Sequence, residues 1–222
     1  LWWLDSQGIR YRKTDDYSWF SVPGRQRFNP FTTVIPGDFS SATFFLCAAA
    51  ITGSTLTLEN LNMSDPQGDK EVIEILKNMG CSVYADEHGL TIEGKKLRGI
   101  DIDLNAMPDA LPALAVTGCF AEGVTRLYNV PQARLKETDR ISVMREELEK
   151  LGAHIEETTD GLIIYKSTLR GARVNGHHDH RVVMALAIAG LAAEGETVIE
   201  TAEAASVTFP EFFSLLSGIR TK

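Results

Sequence analysis

The sequence predicts an α/β fold of repeated βαβαββ units, about three of them, with buried helices inside and sheets outside. Three observations predict it. Gly8, Gly80 and Gly152 stand 72 residues apart, each between a helical segment and a β-rich one: "LDSQGIRY", "LKNMGCSVY" and "LEKLGAHIE". Glycine is the usual residue just past a helix end, where the backbone needs positive φ. Three runs that are apolar on every side, "SSATFFLCAAAI", "ALPALAVTGCFA" and "RVVMALAIAGLAA", recur once per unit; such helices are buried all round. Gly89 with Gly161 and Gly99 with Gly171 repeat the step of 72, and Gly53, Gly123 and Gly195 follow at steps of 70 and 72. A sustained period of this length marks a repeat architecture.

Each unit reads in the same order. The all-apolar helix leads to a strand of β-branched residues, such as Ser54 to Leu58. An amphipathic helix follows, and in the second copy Ile141, Met144, Leu148 and Leu151 mark one face at helical spacing. Short strands joined by tight turns close the unit, with Gly89 and Gly161 expected in hairpin turns. Residues 1–35 read as the tail of one unit, and residues 36–222 as three units with the last shortened. Packing the three apolar helices together makes one closed core.

Composition narrows the function. With 222 residues, 44% of them hydrophobic, the chain can bury a sizeable core. Its 30 carboxylates against 22 Lys and Arg give a net charge of -8, which argues against a nucleic-acid groove or an anionic membrane surface. Any anionic ligand must therefore meet a local cationic cluster. The longest apolar run, Val182 to Ala193, is 12 residues, too short to span a bilayer, and no signal peptide is visible. Cys47, Cys81 and Cys119 lack metal-like spacing and read as reduced, buried thiols of a cytoplasmic protein. The opening "LWWLDSQG" lacks Met and reads as starting part-way into a helix, within something longer.

The copies act as an internal control: features common to all serve the fold, and features unique to one need another cause. Pro66, Thr138 and Pro210 correspond and are expected in the first turn of the second helix. Two residues earlier stand Ser64, Lys136 and Thr208, while Arg140 corresponds to Gly68 and Phe212. Cations at a helix N-terminus oppose the helix dipole, so Lys136 and Arg140 point to an anion, against the plainer reading of a solvated charged turn. Asp38, Asp109 and Asp179 recur at the starts of the apolar helices, where each can serve as an N-cap. Asp109 is equally well placed as a general base. His180 and Arg181 occur only in the third copy, where amides and guanidinium could bind an anion together. The run His177, His178, Asp179 and His180 is not expected to bind metal, because adjacent residues rarely converge on one ion. Asp109, Lys136, Glu137, Arg140, His180 and Arg181 can meet at one end of the domain.

The segments "IPGDFSSATFFLCAA", "MPDALPALAV", "LKETDRI", "HHDHRVVMAL" and "VTFPEFF" occur in that order from residue 35 to the end. They resemble the 5-enolpyruvylshikimate-3-phosphate synthase family, the 3-phosphoshikimate 1-carboxyvinyltransferases. The resemblance implies the enolpyruvyl transferase fold, with residues 1–35 closing a preceding amino-terminal domain that is otherwise missing. It implies a transferase of the shikimate pathway, serving aromatic amino-acid biosynthesis. Such an enzyme moves the enolpyruvyl group of phosphoenolpyruvate to the 5-hydroxyl of shikimate 3-phosphate, releasing phosphate without metal or organic cofactor. Asp109 then resembles the proton acceptor, Lys136 and Glu137 the proton-handling pair, and Arg140 and Arg181 the phosphoenolpyruvate-binding arginines beside His180. Gln132 stands where some relatives have Asn, as a substrate contact, and Val207 where some have Lys. The alternatives are the sister transferase acting on UDP-N-acetylglucosamine and a non-catalytic phosphate-binding repeat domain. As half of a two-domain site, the isolated chain is expected to turn over negligibly.

Overall fold

The computed structural model describes residues 1–219. The chain divides into two compact units, Leu1–Pro36 with Ser64–Pro66, and Gly37–Met63 with Gln67 onward. The first holds helix α1 (Trp2–Ser6) and an antiparallel ribbon of β1 (Arg12–Lys13) with β2 (Phe20–Ser21). Lys13 sits 4.1 Å over the Tyr17 ring.

The second unit carries the repeat. It opens on helix α2 (Phe39–Thr52), strand β3 (Thr55–Leu58), helix α3 (Val72–Met79) and strands β4 (Ser82–Asp86) and β5 (Gly89–Glu93). The middle copy is β6 (Asp101–Asp103), α4 (Leu111–Phe120), β7 (Val124–Tyr128), α5 (Arg140–Lys150), β8 (His154–Thr158) and β9 (Gly161–Tyr165). The last is β10 (Arg173–Asn175), α6 (His180–Ala192), β11 (Val198–Glu200) and α7 (Phe212–Gly218). Only the middle copy shows the whole βαβαββ order among the described residues. Its sheet runs β6-β7-β9-β8, with β6 and β7 parallel and the rest antiparallel. The first copy forms the antiparallel sheet β3-β5-β4 without an opening strand, and the third keeps only the parallel pair β10-β11.

Helices α2, α4 and α6 pack against one another at the centre. Phe44, Leu46, Leu111, Leu114, Leu186 and Ile188 are wholly buried there, each contributing about 1.5–3 kcal/mol by leaving water. Two buried hydroxyls in these helices satisfy themselves locally: Thr43 donates to the Phe39 carbonyl and Thr117 to the Ala113 carbonyl, both at 2.9 Å. The amphipathic helix α5 buries Ile141, Met144 and Leu148, and Leu151 just beyond its end, as their spacing required.

Two expectations need correction. Gly89 and Gly161 do not occupy the tips of the hairpin turns, which are Glu87–His88 and Thr159–Asp160; each instead closes its turn and starts an inner strand of its sheet. A side chain at Gly161 would collide with the Leu127 carbonyl of β7, so close approach of backbones requires glycine there. The second helices also begin later than Pro66, Thr138 and Pro210 suggest. In the middle copy a 3-10 turn, Pro131–Leu135, precedes an extended Lys136, and the cap of α5 is Asp139, whose carboxylate accepts from the Ser142 amide at 3.1 Å. Lys136 thus stands ahead of the helix rather than at its cap.

Candidate active site

The starts of α2, α4 and α6 meet at one end of the repeat, and the approach to α5 joins them there. Arg181 ties them together: its Nη1 donates to Ser40 Oγ in the first turn of α2 at 2.6 Å. Its Nη2 lies 3.4 Å from Asp109 Oδ2 ahead of α4. Lys136 Nζ reaches the other oxygen of Asp109 at 3.2 Å.

Asp109 differs from its two counterparts. Asp38 caps α2 by accepting from the amides of Ser40 and Ser41, and Asp179 caps α6 by accepting from that of Arg181 at 2.9 Å. Asp109 sits inside the 3-10 turn Pro108–Ala110 and makes no side-chain cap. The N-cap reading therefore fails for this residue, and its carboxylate is free to face the cations. Burial alone would raise its pKa, but Arg181, Arg140 and Lys136 together outweigh that and hold it below the ordinary carboxylate range.

Arg140 lies beneath the cluster, with 1% of its side chain exposed. Nε donates to Asp179 Oδ2 at 2.8 Å, Nη1 to Asp109 Oδ1 at 2.8 Å, and Nη2 to Glu137 Oε2 at 2.6 Å and Asp179 Oδ1 at 3.1 Å. What comes to this cation is first of all the chain's own carboxylates. Thr138 Oγ1 donates to Asp179 Oδ2 at 3.2 Å, and Asp179 is fully buried. Burial would raise the Asp179 pKa, but pairing with Arg140 outweighs it and lowers the value. His180, nearly buried, points Nδ1 at Glu137 Oε1 across 3.6 Å. Burial and then Arg181 push its pKa down, favouring the neutral ring, against the opposing pull of Asp179 and Glu137.

Five of the expected residues thus converge with Arg140 between them. Gln132 is different: its Nε2 donates to the Asn105 carbonyl at 3.0 Å and it makes no hydrogen bond to the cluster. Val207 is largely exposed. Arg134 braces the approach to α5, bonding Asp139 at 2.8 Å and the carbonyls of Thr158 and Thr159. Among the described residues no group of His, Cys, Asp or Glu converges as a metal site, and no helix is long and apolar enough to cross a membrane.

Three participants escaped the sequence reading. Ser40 and the second role of Asp179 are contacts between copies, which a local capping signal does not reveal. The third is Asp69, at the position of Ile141 in the repeat. Its Oδ1 is buried without a hydrogen-bond partner. Burial, and then Asp109, raise its pKa, with Arg181 opposing. A group of this kind weighs against the fold wherever it is ionised, and the penalty fades as pH falls through the raised pKa. Asp69→Asn is therefore expected to raise the melting temperature near pH 7 and to lose that advantage in acid. Equal melting temperatures at both pH values would show that Asp69 is not strained.

The residues that converge here are the motif residues, and their family is settled by matching. Residues 3–216 match the family model described as EPSP synthase (3-phosphoshikimate 1-carboxyvinyltransferase). The chain belongs to the EPSP synthase family. It is 59% identical over 217 residues to the 3-phosphoshikimate 1-carboxyvinyltransferase of Acetivibrio thermocellus, covering 98% of this chain and 51% of that one. The Methanocaldococcus jannaschii enzyme of the same name is 45% identical over 218 residues, covering 97% and 50%. The chain thus spans about half the length of the curated relatives it matches. Among solved structures, EPSP synthase from Acinetobacter baumannii superimposes with a TM-score of 0.83 at 31% identity, covering 97% of this chain and 52% of that one. The fold is that of an EPSP synthase, and the expected repeat architecture agrees with it.

Proposed function

We propose that residues 36–222 form the carboxy-terminal domain of a 3-phosphoshikimate 1-carboxyvinyltransferase, with residues 1–35 closing the preceding domain. The observation that carries the reading is the convergence of Asp109, Lys136, Glu137, His180 and Arg181 around buried Arg140 in a member of this family. Phosphoenolpyruvate carries a carboxylate and a phosphate, and forked guanidinium groups suit both. In the reaction a proton adds to the methylene carbon of phosphoenolpyruvate while the 5-hydroxyl oxygen of shikimate 3-phosphate bonds to C2. Loss of phosphate and of a methyl proton then restores the double bond. Asp109 takes the hydroxyl proton, and Lys136 with Glu137 delivers and removes the proton at carbon.

The ion pairs give this reading a coupling. Lys136 and Arg181 hold Asp109 as a weak base. A substrate anion that draws these cations to itself lifts the Asp109 pKa, so binding makes the base stronger when it is needed. Arg140 is kept as a phosphoenolpyruvate contact within this proposal, reached by an anion that takes the place of a carboxylate now holding it. Gln132 is kept as a substrate contact within this proposal. The three buried free thiols, Cys47, Cys81 and Cys119, support a cytoplasmic location.

The decisive experiment mixes this chain with a separately produced amino-terminal half and measures phosphate release from phosphoenolpyruvate. Release is expected with shikimate 3-phosphate, not with UDP-N-acetylglucosamine, and negligible release from this chain alone. Release with the nucleotide sugar only would move the chain to the sister activity. Associated halves that release nothing with either acceptor would leave a binding module.

A further inference from the structure

The loop that carries His180 and Arg181 is built from backbone that ordinary residues avoid. His177 and His178 adopt φ of 51° and 57° in succession, the left-handed region that side chains other than glycine rarely enter. The repeat shows that the fold does not demand this. Left-handed residues after β3, β7 and β11, namely Asn60, Asn129 and Thr201, occur in every copy. The positions matching His177 and His178, however, are Pro36 and Gly37 in the first copy and Met107 and Pro108 in the second, and none of these has positive φ.

A second feature, peculiar to the middle copy, lies against this loop of the third. Glu147 of α5 corresponds to Ile75 and Ile219, yet it is a carboxylate with 1% of its side chain exposed. Its oxygens are fully engaged. Oε1 lies 2.8 Å from His177 Nε2, Oε2 accepts from the Asn175 amide at 2.9 Å, and Lys150 Nζ approaches both at 2.8 Å. Asn175 Oδ1 in turn accepts from the His177 amide at 2.7 Å. Burial would raise the Glu147 pKa, but the bonds from Lys150, His177 and Asn175 outweigh it. One helix therefore carries Arg140 at its start and, two turns on, the anchor of the loop that ends in Asp179, the partner of Arg140.

We propose that Glu147 is a positioning residue that clamps His177 and Asn175, holds the left-handed His177–His178 link, and so aims His180 at Glu137 and Arg181 at Asp109 and Ser40. This deepens the proposed function, since its consequence for ligands rests on Arg181 gripping an anion. The clamp itself does not. Removing it leaves the fold with the residue that the other copies already use and frees the loop to relax toward ordinary backbone.

The test compares the chain with Glu147→Ile, Glu147→Gln and His177→Gly by amide NMR and by titration with phosphoenolpyruvate. Glu147→Ile is expected to stay folded, to move or broaden the amide signals of residues 177–181, and to weaken phosphoenolpyruvate binding roughly tenfold or more. Glu147→Gln, which can still accept from Asn175 and donate to His177, should keep those signals and affinity within about twofold, a rescue on geometric grounds. His177→Gly tolerates the left-handed backbone but loses the ring contact, so it should free the loop even if Glu147→Ile fails to fold. Unchanged signals for Asp179, His180 and Arg181 in a folded Glu147→Ile or in His177→Gly overturn the proposal. A wild-type chain that binds no phosphoenolpyruvate even with the amino-terminal half added counts against the proposed function, while the amide signals still decide the clamp.

Discussion

Asp109→Ala is expected to cut phosphate release by the recombined halves roughly a hundred- to ten-thousandfold, the range for losing a general base. Its fold should survive, because Arg140 keeps Asp179 and Glu137 as partners. The variant also frees Lys136 and Arg181 from Asp109, so the KM for phosphoenolpyruvate should hold or fall while kcat collapses. A loss confined to KM would make Asp109 a binding group only. Asp109→Asn keeps the shape and one acceptor but cannot take a proton. Activity within about tenfold of wild type in that variant would remove the base assignment. The pH profile adds an independent check. In the free chain three cations hold the Asp109 pKa down, whereas substrate anions compete for two of them. The acid limb of kcat, which reports the bound state, should therefore lie at higher pH than the limb of kcat/KM, which reports the free state. Coincident limbs would mean that binding leaves Asp109 paired as it is now.

The repeat was readable because its signals are local and periodic. All-apolar runs announce helices α2, α4 and α6, since a helix with no polar face has nowhere to lie but the centre. Glycines at a constant step mark positions where the backbone turns or strands cross closely. The site was partly readable for the opposite reason, as residues that break the pattern of the copies: Lys136, Arg140, His180 and Arg181 stand where other copies have uncharged or capping residues. What the sequence concealed was pairing. Nothing in "GDFSS" says that Ser40 accepts from a guanidinium 141 positions away. Nor does "HHDH" say that Asp179 both caps α6 and binds Arg140. The start of α5 was misplaced because Thr138 shares its position with Pro66 and Pro210, and none of the three lies inside the helix that follows it. Pro131 opens only a 3-10 turn, and Asp139 makes the cap. Charges read as waiting for an anion proved to be balanced by Asp109, Glu137 and Asp179. That balance makes the site a set of exchangeable ion pairs and raises the question of what holds it together.

Arg140 is the group that answers it, and Arg140→Ala is expected to destabilise the chain by about 3–5 kcal/mol, the cost of leaving a buried charge without its partner. The residue is 1% exposed and Asp179 0%, so water cannot take over. In the wild type, pairing with Arg140 outweighs burial and depresses the Asp179 pKa. The stability it contributes is therefore present above the ordinary carboxylate pKa and lost as pH falls through the depressed value. Without Arg140 the balance reverses. Burial dominates, the Asp179 pKa rises above its unfolded value, and the penalty is largest near neutrality and fades in acid. Urea denaturation at several pH values should thus show a gap between wild type and variant that narrows on acidification. Adding Asp179→Asn to Arg140→Ala should recover part of the loss near pH 7, because a neutral amide still caps α6 and carries no buried charge. If the double variant is no more stable than Arg140→Ala, the cost lies in the packing of the Arg140 stem rather than in the charge it neutralises. Arg140→Lys separates the two: it keeps charge and stem, but one ammonium cannot reproduce the fork that holds three carboxylates at once.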